Sequence, residues 1–242
     1  MIKTAIQWVL SLIFNVQMYV MMALMALFFV PLAVIDRKWA FRAVRTYTNW
    51  VIWSARVIVG LKVEVRGTPP SQEALVAAKH QSFFDIIVIA NAVPRPRFVM
   101  KSILRFAPIL GYIGLRIGCV PVDRGRKGRA IEQMVAGVLN NPAGPGQLII
   151  YPQGTRVPPG EKRPYKVGPA ILYGKLDQPC YPVATNIGLF WPKRGIMRQR
   201  GTCVVDFLPP IQPGLEQTTF MQRLESDVET TSDALTLEAR QT

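Results

Sequence analysis

The sequence predicts an α/β domain with a mixed central sheet flanked by helices, preceded by N-terminal membrane-associated helices. Three observations carry this: an uncharged N-terminal stretch, a series of short apolar or alternating segments after residue 60, and helix-period stretches between them.

A chain of 242 residues fits one substantial core with an appended membrane element, not a string of domains. From Thr4 to Ile35 it contains no Asp, Glu, Lys, Arg or His. As one helix this run would be about 48 Å long against a hydrocarbon core of about 30 Å, so it must tilt, bend or lie partly in the interface. It is too long for a secretory signal and has no small-residue cleavage site leading into a polar start, so a retained segment is expected. Arg37, Lys38, Arg42, Arg45 and Arg56 follow, and the positive-inside bias then puts the rest of the chain on the cytoplasmic side of the cell inner membrane.

Residues 39–59 mix aromatics with spaced arginines and hold no acid, which reads as a second helix at headgroup level. A packed helical hairpin explains the same pattern. Trp8, Trp39, Trp50 and Trp53 all fall in this N-terminal part, as rings between lipid and water do. The expected division is therefore anchoring helices over 1–60 and a cytosolic domain over 61–242.

After residue 60 the segments 61–66, 75–79, 97–101, 117–122, 148–152, 180–185 and 203–208 read as strands. Helical stretches at 83–91, 102–109, 129–139 and 169–174 alternate with several of them, the layout of a sheet with crossover helices. Beyond Gly214 the composition turns acidic, and Phe220, Leu224 and Val228 recur every four residues, so a terminal amphipathic helix should dock on the domain.

The balance of 29 Lys+Arg against 15 Asp+Glu, a net +14, calls for polyanions: nucleic acid, anionic lipid or phosphorylated substrates. Cys119, Cys180 and Cys203 are odd in number, widely spaced and set among apolar residues, which suits buried thiols in a reducing compartment better than a disulfide or zinc site.

His80 is the only histidine, and Asp85 follows five positions on. On a continuous helix that spacing leaves the two about 140° apart, so they meet only across a helix start. Ser82 with Asp85 three residues later resembles a capping box and supplies that start. The aspartate would then accept the Nδ1 proton and leave Nε2 free to take a proton from a hydroxyl. Ser82 is better placed to cap than to attack, and no Gly-x-Ser-x-Gly elbow occurs. Downstream, Lys101 and Arg124 are candidate phosphate ligands, as is the turn Gly154-Thr155-Arg156 at the end of an apolar strand. The run from Arg124 to Arg129 lacks the phosphate-loop spacing and a Mg²⁺ ligand set, so it reads as a basic loop facing headgroups or a phosphorylated co-substrate.

Taken together these residues resemble the glycerolipid acyltransferase family, specifically the 1-acyl-sn-glycerol-3-phosphate acyltransferases. His80 and Asp85 match the His-x4-Asp block; Lys101, Leu104, Pro108, Gly111, Gly118, Asp123 and Arg124 match the second. Residues 151–156 match a third block, usually Phe-Pro-Glu-Gly-Thr-Arg, and 181–183 a fourth. Gln153 stands where the family has Glu; loss of that charge should ease the approach of a phosphate.

The resemblance implies that His80 deprotonates the hydroxyl of lysophosphatidic acid, which attacks the thioester of acyl-CoA or acyl-carrier protein to give phosphatidic acid. Lys101, Arg124 and Arg156 would hold the acceptor phosphate beside the Gly154–Thr155 turn. It implies a phospholipid membrane as partner, no nucleic acid, no metal and no cofactor beyond the acyl donor. Another lysolipid acceptor, such as lyso-ornithine lipid or lysophosphatidylglycerol, stays open through Gln153. A non-catalytic protein binding anionic lipid or nucleic acid is the reading from a different class.

Overall fold

A computed structural model describes residues 2–123 and 127–241, with the backbone alone at 127–129. Helix α1 (Ile2–Ile35) takes up the uncharged stretch, and α2 (Lys38–Ser54) folds back along it. Gln17 fixes the pairing: its Nε2 donates to Ser54 Oγ at 3.0 Å, and its Oε1 accepts from Trp50 Nε1 at 2.7 Å. α1 is long and apolar enough to cross a membrane, yet it is not featureless. Gln7, Ser11 and Asn15 recur at four-residue spacing and so share one face. That face meets the domain: Gln7 Nε2 donates to the carbonyls of Val59 (2.9 Å) and Arg198 (2.8 Å), and Arg198 Nη2 donates to Asn15 Oδ1 at 2.8 Å. The other faces leave Ile6, Val9, Ile13, Val16, Val20 and Leu24 exposed.

A π-helical turn (Ala55–Val59) leads into the sheet. Its strands are β1 (Leu61–Gly67), β2 (Ala74–Ala78), β3 (Pro96–Lys101), β4 (Val120–Val122), β5 (Gln147–Ile150), β6 (Cys180–Thr185) and β7 (Gly201–Phe207). Their order is β1-β7-β6-β2-β5-β3-β4. Every neighbouring pair is parallel except β6 and β7, so the sheet is mixed, as the sequence predicts.

Side-chain alternation divides the core into two layers. Val76, Ala78 and Ile149 face α1, α2 and α3 (Phe84–Ala92), packing on Phe14, Met18, Val51, Phe84 and Val88. Leu75, Ala77, Leu148 and Ile150 face the other way, against α5 (Lys127–Leu139), α6 (Gly168–Leu176) and α7 (Gln217–Gln241). Both faces being covered, β2 and β5 are buried at every position, which is why they read as short apolar runs without alternation. Phe220, Leu224 and Val228 of α7 are fully buried on this second face.

The helix expected at 102–109 is different. A 3₁₀ turn (Ser102–Phe106) stops before Pro108, which cannot donate in a helix interior, and α4 (Leu110–Arg116) starts after it. Ile109 takes a left-handed φ of 60° at this junction, and Gly111 lies so close that a Cβ there would sit 2.4 Å from the Arg105 carbonyl oxygen. The strand expected at 117–122 shortens to β4, because α4 runs to Arg116 and Gly118 takes φ 86°.

Candidate active site

β2 ends at Ala78 and α3 begins at Phe84, so His80 lies in the turn beyond the C-terminal end of a central parallel strand. This edge of an open α/β sheet is where ligand crevices form. Asp85, fully buried in the first turn of α3, brings Oδ1 to 3.0 Å from His80 Nδ1. Its Oδ2 accepts the backbone amides of Gln81 and Ser82, both at 2.8 Å, while Ser82 Oγ accepts from Phe84 N at 3.1 Å. One carboxylate thus ties down the turn that leads into the helix and faces Nδ1, so that by accepting an Nδ1 proton it can hold the ring in the tautomer that frees Nε2.

The turn is held from two further sides. The His80 carbonyl accepts from Val157 N at 2.7 Å, and Gln81 Oε1 accepts from Gly188 N at 2.9 Å. The His80 ring stacks on Tyr151, centroids 4.0 Å apart and planes 19° apart. Burial first, and the Asp85 carboxylate second, push the Tyr151 phenol well above its ordinary value, so it stays neutral. Its hydroxyl faces Asp85 without hydrogen-bond geometry to any described group.

Beyond β5 the chain turns at Gly154, which takes φ 69° and donates its amide to the Tyr151 carbonyl at 2.9 Å. Gly154, Thr155 and Arg156 line the same cavity as His80, and Lys101 at the end of β3 joins them. The cavity holds about 540 Å³, and its walls are apolar: Met22 and Phe29 of α1, Ile87 and Ala90 of α3, Met100 of β3 and Ile113 of α4. Cys119 also lines it; burial pushes this thiol up to about 12, so it is neither nucleophile nor ligand at ordinary pH. All three cysteines are buried and unpaired. Among the described residues no three His, Cys, Asp or Glu side chains gather as metal ligands.

The sequence reading thus assembles as one site for His80, Asp85, Lys101, Gly154, Thr155 and Arg156. Arg124 lies outside the described residues. Lys193 was not foreseen: it lines the cavity, its Nζ donates to the Arg156 carbonyl at 2.9 Å, and Arg156 Nη1 donates to the Lys193 carbonyl at 3.4 Å. Its only sequence signal is a Trp-Pro-Lys-Arg loop placed after β6, on the same sheet edge as His80. Arg156 and Lys193 also border a second, polar cleft with Gln81, Lys162, Arg163 and Arg194. Gln153 corrects an expectation: it is 2% exposed and does not line the cavity, its amide donating to Glu229 on α7 at 3.3 Å and to the Arg163 carbonyl at 3.5 Å, so this side chain does not face an approaching phosphate.

An imidazole paired with a carboxylate lies on an apolar cavity that Lys101, Arg156 and Lys193 also line, an arrangement that can offer a base, an apolar wall and cationic groups to one ligand. The acyltransferase family profile matches residues 62–186, and the chain belongs to that family and is an acyltransferase. Among its relatives, a 1-acyl-sn-glycerol-3-phosphate acyltransferase of Pseudomonas aeruginosa is 26% identical over 183 residues, 75% of this chain and 71% of that protein. The human 1-acyl-sn-glycerol-3-phosphate acyltransferase alpha is 30% identical over 161 residues, 64% of this chain and 57% of the human protein. The fold is shared with the crystal structure of a 1-acyl-sn-glycerophosphate acyltransferase from Thermotoga maritima, at TM-score 0.79 and 21% identity, covering 97% of this chain and 96% of that one.

Proposed function

We propose that this enzyme transfers an acyl chain from acyl-CoA or acyl-carrier protein to the free hydroxyl of 1-acyl-sn-glycerol-3-phosphate, giving phosphatidate. The observation that carries the reading is the shared cavity: His80, paired with Asp85, opens on the same space as Lys101 and Arg156 and on an apolar wall. Relatives named for this reaction support it.

His80 Nε2 takes the proton of the acceptor hydroxyl as its oxygen attacks the thioester carbonyl carbon. The tetrahedral adduct collapses, the C–S bond breaks, and the departing thiolate takes the proton from the imidazolium. Asp85 stabilises that imidazolium and keeps the ring in register. A thioester is already activated, so positioning and one base suffice without a covalent enzyme intermediate. The acyl chain lies along the apolar wall, while Lys101 and Arg156, with Arg124, hold the acceptor phosphate, Arg156 offering a bidentate fork.

The α1–α2 hairpin seats the domain on the cytoplasmic face of the inner membrane. α1 presents exposed apolar residues away from the domain, and its polar stripe is satisfied by the domain itself. Met22 and Phe29 of the same helix line the cavity, so a lipid can enter from the surface the helix touches. The Gln153 argument for another lysolipid falls away, since its amide lies behind the site.

The test is an acceptor panel with purified enzyme and labelled acyl-CoA, offering lysophosphatidate, lysophosphatidylglycerol and lyso-ornithine lipid. At least about tenfold higher kcat/KM on lysophosphatidate is expected, the size of one charge-assisted contact to its phosphate monoester. Equal or greater use of either other acceptor overturns the assignment.

A further inference from the structure

Behind the His80 turn, away from the cavity, four polar side chains close on one another. Lys79, next to His80 in the chain and 3% exposed, donates from Nζ to Glu229 Oε2 at 2.5 Å. Glu229 Oε1 accepts from the Tyr165 hydroxyl at 2.8 Å and from Gln153 Nε2 at 3.3 Å. Burial first, and Glu229 second, push the Tyr165 phenol above its ordinary value, so it remains a donor. Glu229 belongs to α7, beyond the stretch that the family profile matches.

Each partner of Glu229 is joined to a part of the site. Lys79 precedes His80, and its backbone amide still pairs with Val183 of β6 at 2.9 Å. Gln153 precedes Gly154 in the turn that carries Thr155 and Arg156. Tyr165 precedes Lys166, whose amide donates to the Pro152 carbonyl at 3.0 Å and closes the same loop. One carboxylate therefore gathers the strand end bearing the imidazole and both ends of the loop bearing the guanidinium.

The chemistry of the cluster restricts what residue 153 can be. An amide there can donate to Glu229; a carboxylate cannot. Two carboxylates at that separation, sharing one ammonium, would push each other's proton affinity up until one neutralised or the contact opened. An acid at 229 and an amide at 153 are thus complementary, and the cluster needs one carboxylate for its one lysine.

We propose that Glu229 is a positioning residue of the acyl-transfer site, and that the acid at 229 and the amide at 153 form an exchangeable pair. Together they hold the His80 turn against the Gly154–Arg156 turn. The inference rests on the reading of His80 as the base and Arg156 as a phosphate ligand.

The test compares full-length Gln153→Glu, Glu229→Gln and the double exchange, with His80→Ala beside them. Rates are taken well below the lowest thermal midpoint, so that loss of folded protein is not read as loss of rate. Each single exchange should lower kcat by about tenfold or more, and the double should recover to within about threefold of the parent, a non-additive cycle. Tyr165→Phe removes one uncharged donor and keeps the charge balance, so it gives a reading even where a charge variant does not fold. It should lower kcat by about threefold, in keeping with one lost hydrogen bond.

A double variant as impaired as the product of the singles overturns the pairing. A double that regains its midpoint without its kcat, or a Tyr165→Phe enzyme with parental kcat, reduces Glu229 to a fold contact. Activity in His80→Ala would instead sink the base assignment and leave the exchange result to stand by itself.

Discussion

His80 and Asp85 meet across the start of a helix. Five positions apart, they reach 3.0 Å only because His80 precedes α3 and Asp85 lies in its first turn. The second oxygen of Asp85 is committed to two backbone amides, so the carboxylate cannot swing away without undoing the turn.

Asp85→Asn should therefore fail twice. An amide rotated to satisfy the Gln81 and Ser82 amides presents the wrong atom to Nδ1, and rotated the other way it leaves buried N–H groups unpaired. We expect kcat to fall by about 10²–10⁴, as when the orienting acid of a histidine is neutralised. The thermal midpoint should drop by several degrees, since either rotation weakens or breaks the bonds from two buried amides to a charged acceptor, a cost of about 1–2 kcal/mol. Steady-state kinetics and a melting curve on the same preparation check both.

Arg156→Ala should raise KM for lysophosphatidate by about 10–100-fold, the worth of a charge-assisted contact, and leave KM for the acyl donor within about threefold. An effect confined to the donor would place the guanidinium on the wrong substrate. Lys193 shares the cavity and should show the same direction with a smaller effect, a point charge replacing a fork.

Gly114 in α4 offers a handle on the apolar wall. A Cβ built there meets Cys119 and Met100 only at 3.8 Å, in ordinary contact, so a larger side chain grows into the cavity and not into backbone. Gly114→Leu should shift the preferred donor to chains shorter by about two to four carbons, since each methylene lost from the cavity forfeits about 0.8 kcal/mol. A series of acyl-CoA donors from 10 to about 18 carbons reads this directly.

How much of this was legible in the sequence follows from what each signal measures. Apolar runs and alternation report buried faces, so all seven strands stand out, the four-residue recurrence of Phe220, Leu224 and Val228 marks α7, and the His80–Asp85 spacing reports a helix start because only that geometry uses it. The 3₁₀ turn and α4 do not stand out, because their outcome depends on Pro108 and on the close approach of Gly111 to Arg105, both contacts within the fold. Lys193 and Glu229 join the site through loop and helix packing at sequence distances that no local period encodes. Gln153 was seen, but its direction was not, since a turn residue beside Gly154 can face the cavity or α7 with the same neighbours in sequence.

Burial also gives a pH dependence. Thiols that ionise at 9.0 in an exposed setting are raised in the fold, Cys119 to about 12, with Cys180 and Cys203 shifted the same way by the same cause. The unfolded chain therefore loses these protons first. The stability they contribute is fully present below pH 9 and is lost as pH rises toward the folded values. The thermal midpoint should decline by several degrees from about pH 9 to 10.5, with the thiols unreactive to a labelling reagent until unfolding. A midpoint that rises over this interval contradicts the assignment.

The most direct measurement of the central claim is acyl transfer by purified His80→Ala, assayed with lysophosphatidate and labelled acyl-CoA in phospholipid vesicles. Binding to the vesicles should match the parent, since His80 does not touch the exposed face of α1, while the melting point should fall by a few degrees because Asp85 Oδ1 loses its partner and Tyr151 its stacked ring. The rate should fall by at least about 10³, the share a positioned base supplies at its upper range. A variant that keeps a tenth or more of the parental rate, folded and membrane-bound, would show that His80 is not the base.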